Sequence, residues 1–331
     1  MLDIGIVGLG GIGNNHARCY ADNKHTRVVA VCDIDKSRAD NAATRWDAQP
    51  YYSVRQMLKS GINLDACSVT TAGIENGGDH YKPTMELLQA NIPVLGEKPI
   101  SNDVSEARRM VALSKKKRIS YGVNLNHRFT PSAIRAKEWL TEGRLGELNI
   151  VNMTMWINNP NESSPWFHIR ALHPHSLDVM RYFAGEVESV QSFFKKGKGR
   201  KIWSNVQVNL LFKNGVIGHL TGSYDAGGSY GLETLELVGS EGRVIINEAC
   251  EKLSFYPRFS REVESFDHLG GMGGFSETFS SRIGAWVDDL RKNTPPSKVN
   301  AKAEDALKVQ LIIESIIKSW ENSKIVKVPQ K

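Results

Sequence analysis

The sequence predicts two domains, an α/β domain built on a parallel sheet and an α+β domain with a large, mostly antiparallel open sheet. At 331 residues the chain is longer than one hydrophobic core usually serves. Its first 123 residues alternate short apolar strand patterns with helix patterns, which is typical of a parallel sheet. Beyond residue 123 the strand patterns crowd together, which favours antiparallel pairing.

The first domain is expected to cover residues 1–123. Its strand patterns are short apolar runs at residues 3–7, 28–32, 66–70, 93–95 and 120–123. The helix patterns between them lie at residues 14–23, 37–45, 54–60, 80–90 and 105–116. Ser101, Asn102 and Asp103 precede the last of these helices and supply capping side chains for its start. Because right-handed crossovers join parallel strands, these patterns predict a single parallel sheet.

The second domain is expected to cover residues 124–331. Pro131 opens a helix at residues 131–142 and Gly143 stops it. Two further helices are expected at residues 173–183 and 304–319, and the last is a candidate to pack back on the first domain. The alternating strand patterns lie at residues 148–156, 188–194, 205–212, 216–224, 234–238 and 242–247, with hairpin turns at 213–215 and 239–242. A glycine-rich segment at residues 270–274 is expected to be a mobile loop.

Three glycines lie between the first strand and the first helix. Gly8, Gly10 and Gly13 form the pattern G-x-G-x-x-G, with Gly11 and Ile12 inside it. In this pattern the first glycine permits a tight turn, the second lets a pyrophosphate approach the backbone, and the third lets helix and strand pack closely. The phosphates then lie at the helix N-terminus. In its strand–turn–helix context the pattern predicts a Rossmann dinucleotide site, although a glycine turn alone is also compatible with a purely structural role.

An acidic residue ends the second predicted strand. Asp33 follows the last glycine of the motif by about twenty residues, the spacing at which a carboxylate accepts the ribose hydroxyls. Because that carboxylate would repel a 2′-phosphate, the sequence favours NAD over NADP. Ile34 and Arg38 are the neighbouring candidate contacts. Arg38 and Lys36 could soften the preference for NAD, or simply form the solvated first turn of a helix.

Polar side chains also follow two later strands. Glu97, Lys98 and Pro99 come directly after the strand at residues 93–95, so Lys98 is expected at the carboxyl edge of the sheet, where open α/β folds bind ligands. A lysine there can donate a hydrogen bond to a substrate oxygen, although a surface lysine before a turn is an equal alternative. Thr71 begins a long glycine-containing loop and is a candidate cofactor contact, but the loop could equally be a lid or a subunit contact.

Composition excludes several classes of protein. The net charge of +6 is modest, and the basic clusters at residues 115–118 and 195–201 are interpreted as solvated positions and not as a nucleic-acid surface. Since no run of about 18 apolar residues occurs, no membrane span is expected. The N-terminus is interpreted as a first strand and not as a signal peptide. The scattered cysteines favour a reducing, cytoplasmic location and no metal site; they are Cys19, Cys32, Cys67 and Cys250.

Several short motifs occur together along nearly the whole chain. They are the glycine loop followed by His16, the acid Asp33, the Glu97-Lys98-Pro99 segment, and the segment Asn126-His127-Arg128-Phe129-Thr130-Pro131. In this combination the chain resembles the glucose-fructose oxidoreductase/inositol dehydrogenase family. The resemblance implies a Rossmann domain followed by an open-sheet domain, NAD(P) as cofactor, and hydride transfer at a carbinol of a sugar, inositol or related polyol. It also implies a homodimer or homotetramer formed through the open sheet.

The resemblance also assigns roles to residues. The family's catalytic lysine corresponds to Lys98, and Glu97 and His80 are implied as cofactor contacts. The catalytic histidine belongs to a motif Asp-x-Gly-x-His-x-x-Asp, of which His175 and Asp178 match the second half. Ala171 stands where the family has its first aspartate, and His173 stands where it has glycine. This departure removes an expected carboxylate and puts the substrate in doubt; the candidates to replace the polar group are His168, Arg170 and His173.

These assignments lead to a hypothesis for the reaction. His175 accepts the hydroxyl proton as general base, and Lys98 hydrogen-bonds the same oxygen while the cofactor takes the hydride. The alternative for His175 is a helix-start histidine with a structural role. Asn126 and Arg128 of the matching segment are expected at the substrate. The aromatic, polar stretch at residues 156–170 is expected to form a substrate wall, with Trp166, His168 and Arg170 as candidates, unless its aromatic residues only anchor the loop.

Two other functions remain open at this point. Ala171 is compatible with a non-catalytic NAD-binding sensor or regulator that kept the fold. Oxidation could also be the first step of a longer eliminative or epimerising cycle in which NAD is recycled. Accumulation of free NADH in proportion to product distinguishes a simple dehydrogenase from both.

Overall fold

The computed structural model describes residues 1–73, 75–226, 233–247, 252–267 and 277–330. The chain forms two compact units. Unit 1 consists of Met1–Leu125 and Phe279–Leu307, and unit 2 of Asn126–Thr278 and Lys308–Lys331. The sequence predicts a boundary after residue 123, whereas the compact units divide after Leu125, and the later segment Phe279–Leu307 also belongs to unit 1. The glycine-rich segment at residues 270–274 lies outside the described residues.

Unit 1 is built on a six-stranded parallel sheet. Its strands are β1 (Leu2–Val7), β2 (Thr26–Cys32), β3 (Gln49–Tyr51), β4 (Ala66–Val69), β5 (Val94–Gly96) and β6 (Tyr121–Val123). Its first helices are α1 (Gly11–Ala21), α2 (Lys36–Trp46), α3 (Val54–Lys59), α4 (Tyr81–Gln89) and α5 (Val104–Lys117). The strand order β3-β2-β1-β4-β5-β6 reverses direction between β1 and β4, the point at which open sheets of this kind bind ligands.

Local sequence explains most of these elements. The central strands are apolar because both of their faces are covered, and Ile4, Ile6 and Val31 are fully buried. The predicted cap of α5 is confirmed, since the Asp103 carboxylate accepts hydrogen bonds from the backbone N–H groups of Ser105 and Glu106 at 2.7 and 3.1 Å. The short edge strand β3 was not predicted, because its three residues include a proline and carry no alternating pattern.

Unit 2 is built on a nine-stranded sheet. Its strands are β7 (Leu148–Trp156), β8 (Val187–Lys195), β9 (Asn205–Phe212), β10 (Ile217–Ser223), β11 (Glu233–Gly239), β12 (Gly242–Asn247), β13 (Lys252–Pro257), β14 (Glu264–Phe266) and β15 (Val326–Lys327). Its first helices are α6 (Pro131–Thr141), α7 (Phe167–Ala171) and α8 (Pro174–Ala184). The strand order is β14-β13-β12-β11-β7-β10-β9-β8-β15. Among the described strands of this sheet only β7 and β10 pair in parallel, so the predicted mostly antiparallel sheet and both of its hairpins are confirmed.

The two faces of this sheet differ in burial. Along β9 every second residue is buried, and helix α8 packs on β7, which lies two strands away in the same sheet. On β8, β9 and β10, three large apolar side chains are exposed: Phe193 at 55%, Leu211 at 39% and Ile217 at 54%. Leu211 and Ile217 are direct cross-strand partners. One face of the sheet is therefore covered by a helix, and strands β8, β9 and β10 expose large apolar side chains.

Two long helices follow β14 in the sequence. Helix α9 (Glu277–Arg291) was not predicted, although Phe279, Ile283 and Trp286 recur at helical spacing and join the hydrophobic core of unit 1. Helix α10 (Ala303–Glu321) begins in unit 1 and continues from Lys308 in unit 2. No helix in the described part of the chain combines the length and the apolar character needed to span a membrane.

Candidate functional site

The turn between β1 and α1 requires glycine at two positions. Gly8 has a φ of +91°, and a Cβ atom there would lie 2.7 Å from the backbone nitrogen of Thr71. A Cβ atom on Gly13 would lie 1.8 Å from the carbonyl oxygen of Gly8. These close approaches are the turn and the helix–strand contact that the sequence motif predicts.

Gly10 and Gly11 lie beside open space. At both positions no described atom comes within 4 Å of the place a Cβ would take. Gly10 is the N-cap of α1 and offers no side chain to the first-turn N–H groups. The Asn14 amide donates to the carbonyl oxygens of Leu9 and Gly10 at 2.9 and 3.0 Å and so holds the loop in place. A bare helix N-terminus beneath an open glycine loop fits the pyrophosphate of a dinucleotide.

The carboxylate of Asp33 is fixed at the end of β2. One oxygen accepts a hydrogen bond from the Leu9 N–H at 2.7 Å, and the other accepts one from the Asp35 N–H at 2.9 Å. Asp33 is 8% exposed, whereas the neighbouring Ile34 is 92% exposed. Arg38 forms an ion pair with Asp35 at 3.5 Å. The glycine loop and the acid are thus joined directly, and the predicted contact Arg38 pairs with the residue that caps its own helix.

Replacing Asp33 with asparagine is expected to weaken NAD⁺ binding about tenfold, because a hydrogen bond to a charged acceptor is lost. Binding of NADP⁺ should weaken less or improve, since the like charge beside its 2′-phosphate is removed. Fluorescence titration with both cofactors measures the two affinities, and Asp40→Asn on α2 is the matched control. Equal losses for both cofactors would show that Asp33 acts only by holding Leu9.

A second buried acid lies at the end of β5. Glu97 accepts hydrogen bonds from His16 at 2.9 Å and from the Asn124 amide at 2.5 Å. The other ring nitrogen of His16 lies 3.0 Å from the Ser68 hydroxyl, and Tyr20 bonds that hydroxyl at 3.1 Å. Burial acts to raise the pKa of Glu97, but the hydrogen bond from His16, the charge of Lys98 and the Asn124 amide lower it below its usual value. Glu97 is therefore an ionised carboxylate inside the protein.

Lys98 follows this acid at the carboxyl edge of the sheet. Its backbone N–H donates to the Glu97 carboxylate at 3.1 Å, and its peptide bond to Pro99 is cis. Burial lowers the pKa of the Lys98 ammonium, while the charge of Glu97 acts in the opposite direction. His80 donates to the Pro99 carbonyl at 2.8 Å, and burial lowers the pKa of that imidazole. Thr71 donates to the Asp79 carbonyl at 2.5 Å. Within unit 1 the structure thus places Lys98 and His80 on adjoining segments.

In unit 2, His168 and His173 form a buried pair. Their Nε2 atoms lie 3.0 Å apart, and Nδ1 of His173 lies 3.0 Å from the Ser176 hydroxyl. Burial lowers the pKa of His168 to about 3 and that of His173 well below its ordinary value, so both rings are neutral. His173 packs against Gly222, where a Cβ would lie 2.0 Å from its ring. Both rings are buried and contact each other in the core of unit 2, and their role at the substrate stays a prediction.

Other predicted substrate contacts also have internal partners. Arg128 binds Asp178 through two hydrogen bonds, one of 2.7 Å, and the pair is buried. Arg170 binds Glu314 through two hydrogen bonds of 2.9 and 2.8 Å. The Asn126 amide donates to Thr278.

Trp166 packs against other aromatic rings. Its ring centroid lies 5.1 Å from that of Phe194 and 5.8 Å from that of Trp203. The alternative in which the aromatic residues of the stretch at 156–170 anchor the loop therefore describes Trp166 better than a substrate wall does.

His175 lies in the first turn of α8 and is 4% exposed. Its ring stacks on that of His127, with centroids 4.4 Å apart and planes inclined by 17°. His127 in turn donates from Nδ1 to the Glu233 carboxylate, whose two oxygens lie at 2.7 and 2.9 Å. Neither Glu233 nor a role for His127 was predicted from the sequence. Among the described residues, no three His, Cys, Asp or Glu side chains are grouped to hold a metal ion.

Comparison with known proteins identifies the family. Residues 2–125 match the family described as "Oxidoreductase family, NAD-binding Rossmann fold", and residues 133–245 match the "GFO/IDH/MocA C-terminal domain". The two matches follow each other along most of the chain. The chain belongs to the GFO/IDH/MocA family of NAD-binding oxidoreductases. The predicted family, NAD as cofactor, and a dehydrogenase acting on CH–OH groups are thereby confirmed at the level of the family.

Several proteins are similar to this GFO/IDH/MocA member over most of their length. Inositol 2-dehydrogenase from Rubrobacter xylanophilus is 26% identical, over 90% of this chain and 85% of the relative. Levoglucosan dehydrogenase from Pseudarthrobacter phenanthrenivorans is 21% identical, over 99% of this chain and 98% of the relative. An NAD binding oxidoreductase from Klebsiella pneumoniae superposes with a TM-score of 0.88 at 20% identity, covering 100% of this chain and 99% of that one. The last comparison shows a shared fold.

Ala171, the residue that the resemblance places at an aspartate position, is buried in this GFO/IDH/MocA member. The residue ends α7 and belongs to the hydrophobic core of unit 2. Its methyl group packs there with Phe167 and Leu172, which lie in the same core. The Glu233 carboxylate binds His127, whose ring stacks on that of His175.

Proposed function

We propose that the protein oxidises a secondary carbinol of a sugar, inositol or related polyol, with NAD⁺ as the hydride acceptor. The observation that carries this proposal is the pair formed by the buried Glu97 and the half-buried Lys98 at the sheet edge that also bears the glycine loop. The names of the relatives, inositol 2-dehydrogenase and levoglucosan dehydrogenase, support the substrate class.

In this proposal two side chains handle the reacting oxygen and its proton. His175 takes the hydroxyl proton as general base, because an imidazole titrates near working pH. Lys98 donates a hydrogen bond to the same oxygen and stabilises the negative charge that develops on it. Burial lowers the pKa of Lys98, which makes its ammonium a stronger donor, and the ionised Glu97 favours the charged form. When NAD⁺ is bound, it supplies the hydride acceptor.

We also propose a cellular location, an oligomeric state and a cofactor preference for the enzyme. The three described cysteines, Cys19, Cys32 and Cys67, are free thiols, which supports a reducing, cytoplasmic location. The exposed Phe193, Leu211 and Ile217 support a homodimer or homotetramer formed through the open sheet. NAD is preferred over NADP because of Asp33. A small sugar or polyol is the partner, and neither a nucleic acid nor a membrane surface is proposed.

The proposal is tested by following NADH formation over a panel of inositols, aldoses, anhydrosugars and sugar acids with NAD⁺ and NADP⁺. We expect turnover with at least one polyol and NAD⁺, with one NADH released for each ketone formed. Tight NADH binding without turnover on any member of the panel would instead favour the non-catalytic sensor. Product without free NADH would favour a cycle that recycles the cofactor.

A further inference from the structure

We propose that His127 and Glu233 form a positioning pair that sets the basicity of His175. The pair supplies, through the stacked ring of His127, the negative charge that Ala171 does not provide. This inference rests on the role of His175 as general base in the proposed function. Neither residue is called catalytic, because both act through His175.

The geometry places three buried groups in a row. The Glu233 carboxylate accepts a hydrogen bond from Nδ1 of His127, and the His127 ring lies face to face with the His175 ring at 4.4 Å. Glu233 is 2% exposed and His127 is also 2% exposed. A buried carboxylate is costly unless it is hydrogen-bonded, so Glu233 is held to His127. His127 is then oriented with its Nδ1 proton toward Glu233 and its ring face toward His175.

Charged and titratable groups also lie on the turn before α6 and on α7, both of which pack against α8. The turn before α6 carries Arg128, whose charge is balanced by Asp178 on α8 through their two hydrogen bonds. From α7 and the start of α8, His168 and His173 contribute neutral rings, because burial lowers the pKa of each. Among the described residues, Glu233 is the acid that binds the ring stacked on His175.

The charge of Glu233 matters when His175 takes up a proton. Two imidazoles stacked at this distance cannot both be cationic without a nearby counter-charge. A carboxylate bound at the edge of the stacked His127 ring is a counter-charge for a proton on His175 and favours the protonated form of that imidazole. Removal of that charge should lower the pKa of His175 and make it a weaker base. Glu233 and His127 therefore tune proton transfer without touching the substrate.

The test is a titration of His175 in the full-length protein, followed by nuclear magnetic resonance of isotope-labelled histidine. The His175 signal is assigned by its loss in His175→Gln. In Glu233→Gln we expect the pKa of His175 to fall by about half a unit or more. Glu236→Gln is the matched control, since Glu236 lies on the same strand and pairs with Asn152 and Arg243 instead. The control should leave the His175 titration unchanged.

A second variant tests whether Glu233 acts through the ring. His127→Phe keeps an aromatic ring for the stack and removes the nitrogen that binds Glu233. In the His127→Phe variant, Glu233→Gln should cause little further change in the His175 pKa, because Glu233 no longer binds the ring that stacks on His175. If Glu233→Gln lowers the melting temperature but leaves the His175 titration in place, the pair is structural and the inference is wrong. Equal shifts with and without His127 would also overturn it.

Steady-state kinetics connect the pair to turnover. In Glu233→Gln the acidic limb of the kcat/KM profile should move to lower pH by the same amount as the pKa. On the plateau kcat should fall about two- to threefold with little change in KM, because the base is weaker. A limb that stays in place despite a shifted His175 titration would show that His175 is not the base. That outcome contradicts the proposed function and leaves the electrostatic pair intact, so the two failures are distinguishable.

Discussion

Replacing His175 with alanine is expected to lower kcat about 10²–10⁴-fold, because the general base of the oxidation is removed. Binding of NAD⁺ should be retained, since the glycine loop and Asp33 belong to unit 1 and are unchanged. The acidic limb of the pH–rate profile, which reports a neutral imidazole, should disappear in the variant. Initial rates of NADH formation across a pH series measure both effects with any active polyol.

The matched control for this prediction is His219→Ala. His219 lies on β10 and bonds Asn209 at 2.9 Å and Thr221 at 3.1 Å, so it is a histidine of the same unit with a structural setting. Its loss should leave kcat within about twofold, as is usual for a side chain that touches neither substrate nor cofactor. A His175→Ala enzyme that keeps the wild-type rate and limb would remove His175 from the mechanism.

The second large effect is expected for Lys98→Met. The variant keeps an apolar stem of similar length and removes the donor to the reacting oxygen, so kcat should fall about 10²–10³-fold. The alkaline limb of the profile should disappear as well. In the wild-type enzyme we expect the alkaline limb at a lower pH than an ordinary lysine would give. Burial lowers the pKa of Lys98, and its ammonium is lost as the pH rises through that pKa.

Lys117→Met provides the comparison for Lys98. Lys117 is also in unit 1 and donates to the Leu88 carbonyl at 3.1 Å, at the opposite end of α5 from the Lys98 segment. Steady-state kinetics and a cofactor titration of both variants separate catalysis from folding. Should Lys98→Met lose NAD⁺ affinity in proportion to kcat, the residue would be a cofactor anchor and not a donor to the substrate.

The part of the site that the sequence could predict is local. The turn at Gly8 and Gly13 and the acid Asp33 follow from backbone sterics and from the spacing of one strand–helix–strand unit. The same holds for Lys98, because the end of a parallel strand fixes which sheet edge it occupies. In each case the residues that create the geometry are neighbours in sequence.

The histidine stack in unit 2 could not be predicted in this way. His127 and Glu233 are separated by 106 positions, and only the pairing of β11 with β7 brings that acid into the core. The same limit explains why His168 and His173 were expected at the substrate and not as a buried pair. A polar stretch with histidines is compatible both with a substrate wall and with a buried pair, since sequence alone does not show which hydrogen bonds are satisfied internally.

Unit 1 is formed by two separate segments of the chain, and this affects how the protein folds during synthesis. Phe279, Ile283 and Trp286 of α9 complete the core that supports the glycine loop, yet all of unit 2 up to Thr278 is synthesised before them. A nascent chain therefore presents its first sheet to the ribosome exit and to chaperones with an apolar face uncovered. A fragment ending at Leu125 should expose that face and aggregate, even though it contains every residue of the dinucleotide motif. The fold of the cofactor-binding unit is therefore complete only after α9 has been synthesised.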